Sequence, residues 1–535
     1  MDERARIPVS LPREHPTTPF WQDPPDVTVA DLRSSPELPP VVDVVIVGSG
    51  ITGTSIAYHL LELGESGETT ATSAPLPSIL MLEARQVCSG ATGRNGGHTK
   101  AASYRSFMDH VAAQGVDEAV RIARLELGAI QSVHGLAAPT AMSKGIDCDS
   151  NPCDTLDVLY DPAQWARAQE AIAEMRAAMP AGDPAAEYTL YSRDEALAAF
   201  PCSDDVDVGS DGKFTATHPI CGVVRYTAGS VSAYRFTAGV LKQCLARGLN
   251  LQANTPVLSV AKAAPGSGGT NRWAVKTDRG IVSARHVVLA TNGYTAHLVP
   301  VLQGVVVPLR GQIAMHRAGS NMPGTSIASS GAESLSSGGL STTYSFIYEQ
   351  GYEYMITRPP GSTCAGDVVI GGGLKYADPT AAGGLCEYGS TDDTTLNPIV
   401  STYLRETPLR YFGQSSSTDP NSGHGWGADH PDGRVRAEWT GIMGYTPDGY
   451  PLVGEMPPTS NNERNNGLWL CCAFQGHGMV YAWPCGRALA SMIQADELDN
   501  ETARKNVDTA LQKWFPSCFR TTGARLRLRF AGRLH

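Results

Sequence analysis

Apolar positions in this chain gather into short runs, each followed by small residues and then by an amphipathic stretch. Residues 44–47 form an apolar run that predicts a buried strand, and residues 51–61 then carry the apolar face of a helix. Residues 79–82, 284–290 and 468–473 repeat the apolar strand pattern. Strands that stop at small residues and lead into helices are typical of α/β folds.

The first strand and helix enclose the motif G-x-G-x-x-G. Gly48 permits the tight turn, Gly50 lets backbone approach a pyrophosphate, and Gly53 lets the helix pack closely on the strand. The helix N-terminus adds unpaired N–H groups and a partial positive charge. Because the chain has 56 glycines, the motif alone is weak evidence. Its strand and helix context nevertheless predicts a dinucleotide-binding loop.

Glu83 ends the second strand, within Glu83-Ala84-Arg85, and lies 30 residues past Gly53. The usual interval is about 20 residues, and the surplus falls in residues 65–78, whose Gly, Ser, Thr and Pro content predicts a surface insertion. A carboxylate here accepts hydrogen bonds from ribose hydroxyls and repels a 2′-phosphate, which favours FAD or NAD. The alternative is an ordinary glutamate at a strand end.

Residues 88–98, Cys-Ser-Gly-Ala-Thr-Gly-Arg-Asn-Gly-Gly-His, are rich in glycine and small hydroxyl residues. Such backbone suits close packing against a large planar ligand and its phosphates, so the segment favours a long cofactor. Residues 234–248 predict an amphipathic helix and residues 249–260 a strand that carries Val257. Residues 474–479 lead from the last strand into a second helix whose N-terminus would face the cofactor.

Composition excludes several classes of partner. The 535 residues carry a net charge of −11, which argues against nucleic acid or an anionic membrane surface. No run of 18 apolar residues and no signal-peptide core occurs, so we expect no membrane partner and a cytoplasmic location. The twelve cysteines are expected to be reduced, and no ligand set predicts a metal. The basic tail at residues 520–533 is expected to be a solvated terminus rather than a binding arm.

These motifs together resemble the D-amino-acid oxidase-like family of FAD-dependent oxidoreductases, which includes sarcosine oxidase and glycine oxidase, over about residues 40–520. The segments that carry the resemblance are GSGITG with LEAR, SGATGRNGG, VVLATNGY, TPDGYPLVG and FQGHGM. The resemblance implies an α/β fold, in which a Rossmann-like FAD-binding domain of the glutathione-reductase type is interleaved with a mixed β-sheet substrate domain.

The resemblance also implies the domain boundaries. We predict an N-terminal extension (1–40), three FAD-binding parts (41–110, 231–300 and 439–515), a helical or substrate-domain segment (111–230), a substrate domain with loop insertions (301–438) and a basic tail (516–535). Within the substrate domain, residues 305–315, 352–359 and 367–374 predict strands. Residues 319–343 and 414–434 have the composition of insertions.

FAD is the implied cofactor, and it is expected to be non-covalent. Sarcosine oxidase attaches FAD through a cysteine, whereas the nearest positions here are Thr440, Gly441 and Ile442. The residues predicted to bind FAD are Gly48, Ser49, Gly50, Ile51, Thr52, Gly53, Glu83, Ala84, Arg85, Ser89, Thr92, Arg94, Asn95, Gly96, Gly97, Val257, Thr291, Gly293, Gly444, Asp448, Gly476, His477, Gly478 and Met479.

The implied chemistry is hydride transfer from a carbon that bears an amine to flavin N5, with an amine or amino acid as substrate and oxygen as acceptor. A dehydrogenase with another electron acceptor and a tailoring enzyme of specialised metabolism are alternatives. From other classes, a non-catalytic flavin-binding protein stays open, and an NAD-dependent dehydrogenase would need a nicotinamide site.

Three side chains are catalytic candidates. Lys375, in Gly-Gly-Gly-Leu-Lys, is similar to a lysine of sarcosine oxidase that promotes the reaction of reduced flavin with oxygen, although a solvated lysine at a strand end is an equal alternative. His98 and His477 are flanked by glycine and could face the flavin. The family's carboxylate-binding lysine corresponds to Val480, which puts a simple amino acid in doubt. Arg94, Arg310 and Arg358 are further carboxylate candidates, each with a structural or phosphate-binding alternative.

Overall fold

The computed structural model describes most of the chain. The described residues are 1–61, 76–140, 145–204, 206–207, 217–263, 272–323, 340–349, 351–378, 384–413, 425–458, 466–498 and 500–530. Most of the insertion predicted at 65–78, and parts of those predicted at 319–343 and 414–434, lie outside these residues.

The strands of the described residues fall into two large sheets and one small hairpin. In chain order they are β1 Val41–Val47, β2 Ile79–Leu82, β3 His98–Lys100, β4 Asn151–Leu159, β5 Thr189–Ser192, β6 Val206–Asp207, β7 Thr217–His218, β8 Gly222–Ser230, β9 Asn250–Gln252, β10 Val257–Lys262, β11 Trp273–Thr277, β12 Gly280–Leu289, β13 Val307–His316, β14 Thr343–Tyr348, β15 Gly351–Thr357, β16 Val368–Gly371, β17 Val435–Tyr445, β18 Leu452–Glu455 and β19 Leu468–Cys472.

Helices pack on both sheets. They are α1 Asp2–Ala5, α2 Ile51–Leu60, α3 Tyr104–Gln114, α4 Val116–Ala137, α5 Pro162–Ala178, α6 Arg193–Ala199, α7 Ala233–Ala246, α8 Thr295–Leu298, α9 Pro398–Phe412, α10 Gly478–Glu497 and α11 Glu501–Gln512. In the described part of the chain, no helix combines the length and the apolar character needed to cross a membrane.

The first sheet is built around β1, which pairs in parallel with β2 on one side and β12 on the other. β9 continues the sheet in parallel beyond β2, and β19 pairs in parallel with β12. Val44 and Ile46 pack into the core on one face of β1, whereas Val45 and Val47 pack into the core on the other. Burial on both faces explains why the strand reads as a continuous apolar run.

The second sheet has the strand order β17-β13-β16-β15-β14-β4-β8-β3, with β5 beside β8. All neighbours in it run antiparallel except β14 and β4, which are parallel. β13, β15 and β16 confirm the strands predicted at 305–315, 352–359 and 367–374. The two sheets together confirm an α/β fold with a Rossmann-like part and a mixed-sheet part.

The single strand predicted at residues 249–260 is wrong, because the chain forms two strands there, β9 and β10. Asn254 between them has a φ of 49°, which breaks the extended backbone. Pro256 precedes β10 and has no N–H to donate to a neighbouring strand. The turn lets β9 extend the parallel side of the sheet while β10 joins the antiparallel side.

Described residues near both ends of the chain pack against the body of the protein. Trp21 is buried, and its Nε1 donates to the Asn95 carbonyl at 2.6 Å. The expectation of a solvated basic tail is wrong for Arg525, whose guanidinium lies 2.6 Å from Asp448 and also donates to the Tyr450 and Pro451 carbonyls. The Arg525 guanidinium donates five hydrogen bonds in all, to three backbone carbonyls and to both carboxylate oxygens of Asp448.

We expect Gly53→Ala to lower the free energy of unfolding by about 2 kcal/mol, the scale of overpacking a filled interior. A Cβ at Gly53 would lie 2.1 Å from the Gly48 carbonyl oxygen. Gly128→Ala in α4 is the matched control, because its Cβ would meet nothing within 4 Å. The free energy of unfolding of the control should stay the same or rise by up to about 1 kcal/mol, because alanine has the higher helix propensity. Its melting temperature should therefore not fall. Equal melting temperatures for the two variants would contradict the packing argument.

Candidate active site

A cavity of about 440 Å³ opens where β1, β2 and β12 end. Its wall includes Val47 and Leu82, the last residues of β1 and β2, and Ala290, which follows β12. Ligands of open α/β sheets bind at this edge, outside the carboxyl ends of the strands. The predicted residues that line it are Gly48, Gly50, Ile51, Thr52, Glu83, Ala84, Arg85, Thr92, Arg94, Asn95, Gly96, Gly97, His98, Val257, Thr291, Gly476, His477, Gly478 and Met479.

The dinucleotide loop is shaped by its glycines. Gly48 has a φ of 107°, a conformation that side chains rarely adopt, and a Cβ there would lie 2.6 Å from the Ala290 carbonyl oxygen. Gly50 is the N-cap of α2, so the helix begins at the cavity wall. The Ile51 N–H donates to Thr92 Oγ1 at 3.0 Å, which fastens the 88–98 segment to the helix N-terminus.

Glu83 lies beside this loop, with hydrogen bonds that fix its carboxylate. Oε2 accepts from the Ser49 N–H at 3.1 Å and from Ser49 Oγ at 2.7 Å. Oε1 accepts from the Arg85 N–H at 3.1 Å. The carboxylate therefore closes the loop and faces the cavity with its remaining acceptor capacity.

Two arginines of the predicted set share one buried acid from the substrate domain. Arg85 Nη2 lies 2.9 Å from Asp393 Oδ2, and Arg94 Nε lies 3.6 Å from the same oxygen. Arg94 also donates to the Ser89 and Thr440 carbonyls at 2.9 and 2.7 Å. Its guanidinium is thus occupied by protein partners, which favours the structural alternative for this residue.

Tyr294 places a free hydroxyl at the same part of the cavity. Its buried oxygen has no hydrogen-bond partner among the described residues. Burial raises the pKa of Tyr294, and the nearby carboxylates of Asp393 and Glu83 raise it further. A buried hydroxyl that lacks a partner costs free energy unless a ligand supplies one.

A second group of polar side chains comes from α3 and from four strands of the second sheet, β3, β4, β8 and β14. Lys100 lines the cavity, forms an ion pair with Asp157, and donates to Ser345 Oγ at 2.5 Å. Asp157 also accepts from the hydroxyls of Tyr104 and Tyr226 at 2.8 and 2.9 Å. Burial lowers the pKa of Lys100 to about 8, and Arg105 lowers it too, whereas Asp157 opposes the shift.

Arg105 lines the same wall, with its guanidinium 4.5 Å from the centroid of the Tyr352 ring. Within the described ranges it forms no ion pair with a carboxylate. Lys100 and Arg105 carry two positive charges and Asp157 one negative charge, so this part of the cavity has a net positive charge near neutral pH.

Both candidate histidines line the cavity and stay neutral at pH 7. His98 Nε2 lies 2.8 Å from Thr343 Oγ1, and burial holds the pKa of His98 well below its usual range. His477 is the N-cap of α10, and burial together with Arg105 and Lys100 lowers its pKa to about 4. A neutral imidazole offers one donor and one acceptor to a ligand.

Lys375 is not among the residues that line this cavity, and its role toward the flavin stays a prediction. It lies in a short 3₁₀ turn after β16, with Nζ 5.3 Å from the Tyr348 ring centroid and 5.8 Å from that of Tyr376. Those two rings belong to the core of the substrate domain. The turn directs Lys375 away from the wall, where its neighbours Gly372 and Leu374 do lie.

Six more predicted cofactor residues are not among the residues that line the cavity: Ser49, Gly53, Ser89, Gly293, Gly444 and Asp448. Gly293 and Gly444 pack against each other, since a Cβ at Gly444 would lie 2.8 Å from the Gly293 nitrogen. Asp448 pairs with Arg525 rather than facing the cavity. Among the carboxylate candidates, Arg310 lines the cavity but is paired with Glu387, and Arg358 is paired with Asp149 at 2.9 Å.

Sequence reasoning missed Lys100, Arg105 and Tyr294. Lys100 could have been found, because residues two apart on a strand share a face and His98 was already a candidate. Arg105 and Tyr294 carry no such pattern, since their approach to the cavity depends on how α3 and the turn before α8 pack.

Comparison with known proteins identifies the family. Residues 43–492 match the family described as FAD dependent oxidoreductase (DAO). The chain belongs to this family. It is therefore an FAD-dependent oxidoreductase, and the resemblance read from its motifs is confirmed.

Individual relatives are distant. "Probable oxidoreductase OrdL" of Rhizobium meliloti (strain 1021) is 22% identical over 466 residues, which cover 85% of this chain and 84% of that protein. Glycine oxidase from Geobacillus kaustophilus is similar in fold, with a TM-score of 0.56, 18% identity and coverage of 85% of this chain and 95% of that one. L-proline dehydrogenase from P. horikoshii has a TM-score of 0.52 and 16% identity, with coverage of 89% and 99%.

The residues present fit FAD. The left-handed turn at Gly48 leaves backbone without side chains at the α2 N-terminus, as a pyrophosphate requires. Glu83 has acceptor capacity for ribose hydroxyls, and the Tyr294 hydroxyl needs a partner. We assign these groups to holding the cofactor as a proposal that the following variant tests.

We expect Glu83→Ala to weaken FAD binding about 10- to 100-fold, because hydrogen bonds to a charged acceptor contribute about 1.5–3 kcal/mol. Titration of the apo-protein with FAD measures the dissociation constant. Glu83→Gln is the control, since it keeps an acceptor oxygen without the charge and should lose less. Unchanged affinity in Glu83→Ala would place this residue outside the cofactor contacts.

Proposed function

We propose that this chain oxidises the C–N bond of a small amine that also carries a carboxylate, with oxygen as electron acceptor. Bound FAD supplies the chemistry by accepting a hydride from the carbon that bears the amine. FAD is held without a covalent bond to cysteine in this proposal, because no cysteine is among the described residues of the cavity wall.

The observation that carries the proposal is the unpaired guanidinium of Arg105. A cation enclosed by protein is costly unless an anion accompanies it. Arg105 stacks on Tyr352 and has no carboxylate partner in the chain segments that the structure describes. A substrate carboxylate would supply that partner, and the planar guanidinium suits its two oxygens.

Lys100 adds a second positive charge, held in place from behind. Its ion pair with Asp157 and its bond to Ser345 fix the ammonium at the cavity wall. The hydroxyls of Tyr104 and Tyr226 donate to the Asp157 carboxylate and hold it in position. Asp157 in turn holds the Lys100 ammonium. Lys100 therefore offsets the charge of Asp157 and leaves the charge of Arg105 for a negatively charged ligand.

His477 faces this group as a neutral ring. Its low pKa means that it does not add a positive charge at pH 7, so it does not repel a substrate ammonium. An imidazole nitrogen can accept a hydrogen bond from that ammonium and so orient the amine, while its low pKa makes His477 a poor acceptor of the proton itself. His98 is bonded to Thr343 and is better placed to position the wall than to move a proton.

The acceptor must be set by side chains around the flavin. A glycine oxidase and an L-proline dehydrogenase share this fold, so the fold is compatible with both kinds of enzyme. Among the described residues, Lys100 is the one lysine that lines the cavity, and a fixed cation near the flavin favours reaction of reduced flavin with oxygen. Oxygen is therefore the acceptor in the proposal.

The proposal predicts which compounds reduce the bound flavin. Under anaerobic conditions, secondary or primary amines with a carboxylate should bleach its visible absorbance, whereas the matched amines without a carboxylate should do so only at far higher concentration. Arg105→Met should raise the concentration needed for half-maximal reduction about 100-fold for the carboxylates, the scale of a lost charged hydrogen bond of about 3 kcal/mol. Arg105→Lys should recover part of this loss.

Two results would contradict the proposed substrate, an amine that carries a carboxylate. One is equal behaviour of amines with and without a carboxylate in the wild-type protein. The other is flavin reduction by hydroxy acids or alcohols but by no amine.

After reduction, admission of oxygen should restore the absorbance and form hydrogen peroxide. Reoxidation only by another acceptor would make the enzyme a dehydrogenase.

Lys100 predicts how carboxylate binding depends on pH. Its pKa of about 8 means that the ammonium loses its proton as pH rises through 8, and the cavity then loses one positive charge. The affinity for a small monocarboxylate such as propionate should fall about tenfold between pH 7 and 9.5. The perturbation of the flavin spectrum measures this affinity.

Three lysine variants separate the cause. Lys100→Arg should remove the pH dependence, because arginine stays protonated over this range. Lys100→Met should bind propionate weakly at every pH. Lys375→Met is the matched control and should behave like the wild type, since Lys375 lies outside the cavity. A wild-type pH profile in Lys100→Arg would assign the titration to another group.

A further inference from the structure

The first 42 residues precede the family match, which begins at residue 43. Part of this segment nevertheless forms a wall of the cofactor cavity, through Ser10, Leu11 and Pro12. The motifs of the family do not account for this wall, because it belongs to the part of the chain that lies outside them.

Hydrogen bonds fix the segment on both sides of these three residues. Before them, the Val9 carbonyl lies 3.1 Å from His297 Nδ1. After them, the Arg13 carbonyl accepts from Arg85 Nη1 at 3.0 Å, and the Arg13 guanidinium lies 3.4 Å from Asp392. The wall is thus held against α8 on one side and against the loop after β2 on the other.

A second anchor lies four residues further along. The Thr17 N–H donates to the Asp393 carbonyl at 2.8 Å, and its own carbonyl accepts from Arg94 Nη2 at 2.6 Å. Thr17 Oγ1 accepts from the Thr440 N–H at 3.0 Å. The segment is therefore bonded to the cofactor loop, the substrate domain and the C-terminal part of the chain at once.

The anchor at Arg13 indicates which part of the cavity residues 10–12 cover. Arg85, which holds the Arg13 carbonyl, is two residues after Glu83. Glu83 has the position and chemistry of the ribose contact. The covered part of the cavity is therefore the adenosine end, and Leu11 and Pro12 present apolar surface where a purine ring needs it.

We propose that residues 9–13 are a cofactor-binding segment of this chain, which covers the adenosine end of bound FAD and slows its release. Release of FAD then requires the bonds to His297 and Arg85 to open. The segment contacts the adenosine half of FAD rather than the flavin half.

Binding to the apo-protein tests this assignment with three probes: FAD, ADP for the adenosine half, and FMN for the flavin half. Leu11→Asn should weaken binding of FAD and ADP about tenfold, because a polar amide replaces the apolar contact, and should leave FMN binding within twofold. Glu14→Gln is the matched control, because Glu14 is exposed and lies directly after residues 9–13. This variant should bind all three probes like the wild type. Equal loss of FMN and ADP binding, or no loss of ADP binding, would overturn the proposal.

Proteolysis gives a readout that does not depend on affinity. Arg13 is about half exposed, so trypsin can reach the bond after it when the segment lifts. FAD and ADP should slow cleavage at Arg13 at least fivefold, whereas FMN should not, because only the first two close the segment over a ligand. Thr17→Val should speed cleavage in the presence of FAD. Cleavage at the same rate with and without ADP would show that the segment does not cover the adenosine end.

Discussion

The burial of one guanidinium, that of Arg94, holds the cofactor site together. Its side chain is 1% exposed and donates to the carbonyls of Ser89, Thr440 and Thr17. These acceptors come from the cofactor loop, the C-terminal part of the chain and the N-terminal segment. Burial lowers the pKa of Arg94 to about 10, but Asp393 opposes that shift and the group stays charged at pH 7. A buried charge requires each of these partners, so displacing any one of the three segments leaves a donor of this guanidinium without its acceptor.

Two arginine environments in one cavity have opposite consequences. Around Arg94 and Arg85 the protein supplies Asp393, and these guanidinium groups serve the fold. Around Arg105 it supplies an aromatic ring but, among the described residues, no carboxylate at ion-pair distance, so that guanidinium is available to a ligand. The number of arginines near the cavity therefore says little about substrate charge. What matters is which of them the chain has already neutralised.

The elements that the sequence predicted well are those fixed by local patterns. The turn at Gly48 and the parallel strands β1, β2, β12 and β19 follow from apolar runs and glycine spacing, and the fold class and family are confirmed. The break between β9 and β10 was missed, although Pro256 could have indicated it. Whether Lys375 reaches a bound flavin stays a prediction, because a Gly-Gly-Gly-Leu-Lys string does not specify the direction of the turn that follows β16. Arg105 and residues 10–12 reach the cavity through tertiary packing, and no local pattern in a single sequence predicts that packing.

The position of β19 has a consequence for synthesis of the protein on the ribosome. β19 pairs with β12 and leads into His477 and α10, so one wall of the cavity comes from residues that lie far after β12 in the chain. Until these residues emerge, the end of β12 at Val287–Leu289 lacks a neighbouring strand on one side, and the apolar face of α2 lacks α10, one of its packing partners. The nascent chain must therefore keep an unfinished sheet from pairing with other chains until β19 and α10 complete the cavity wall.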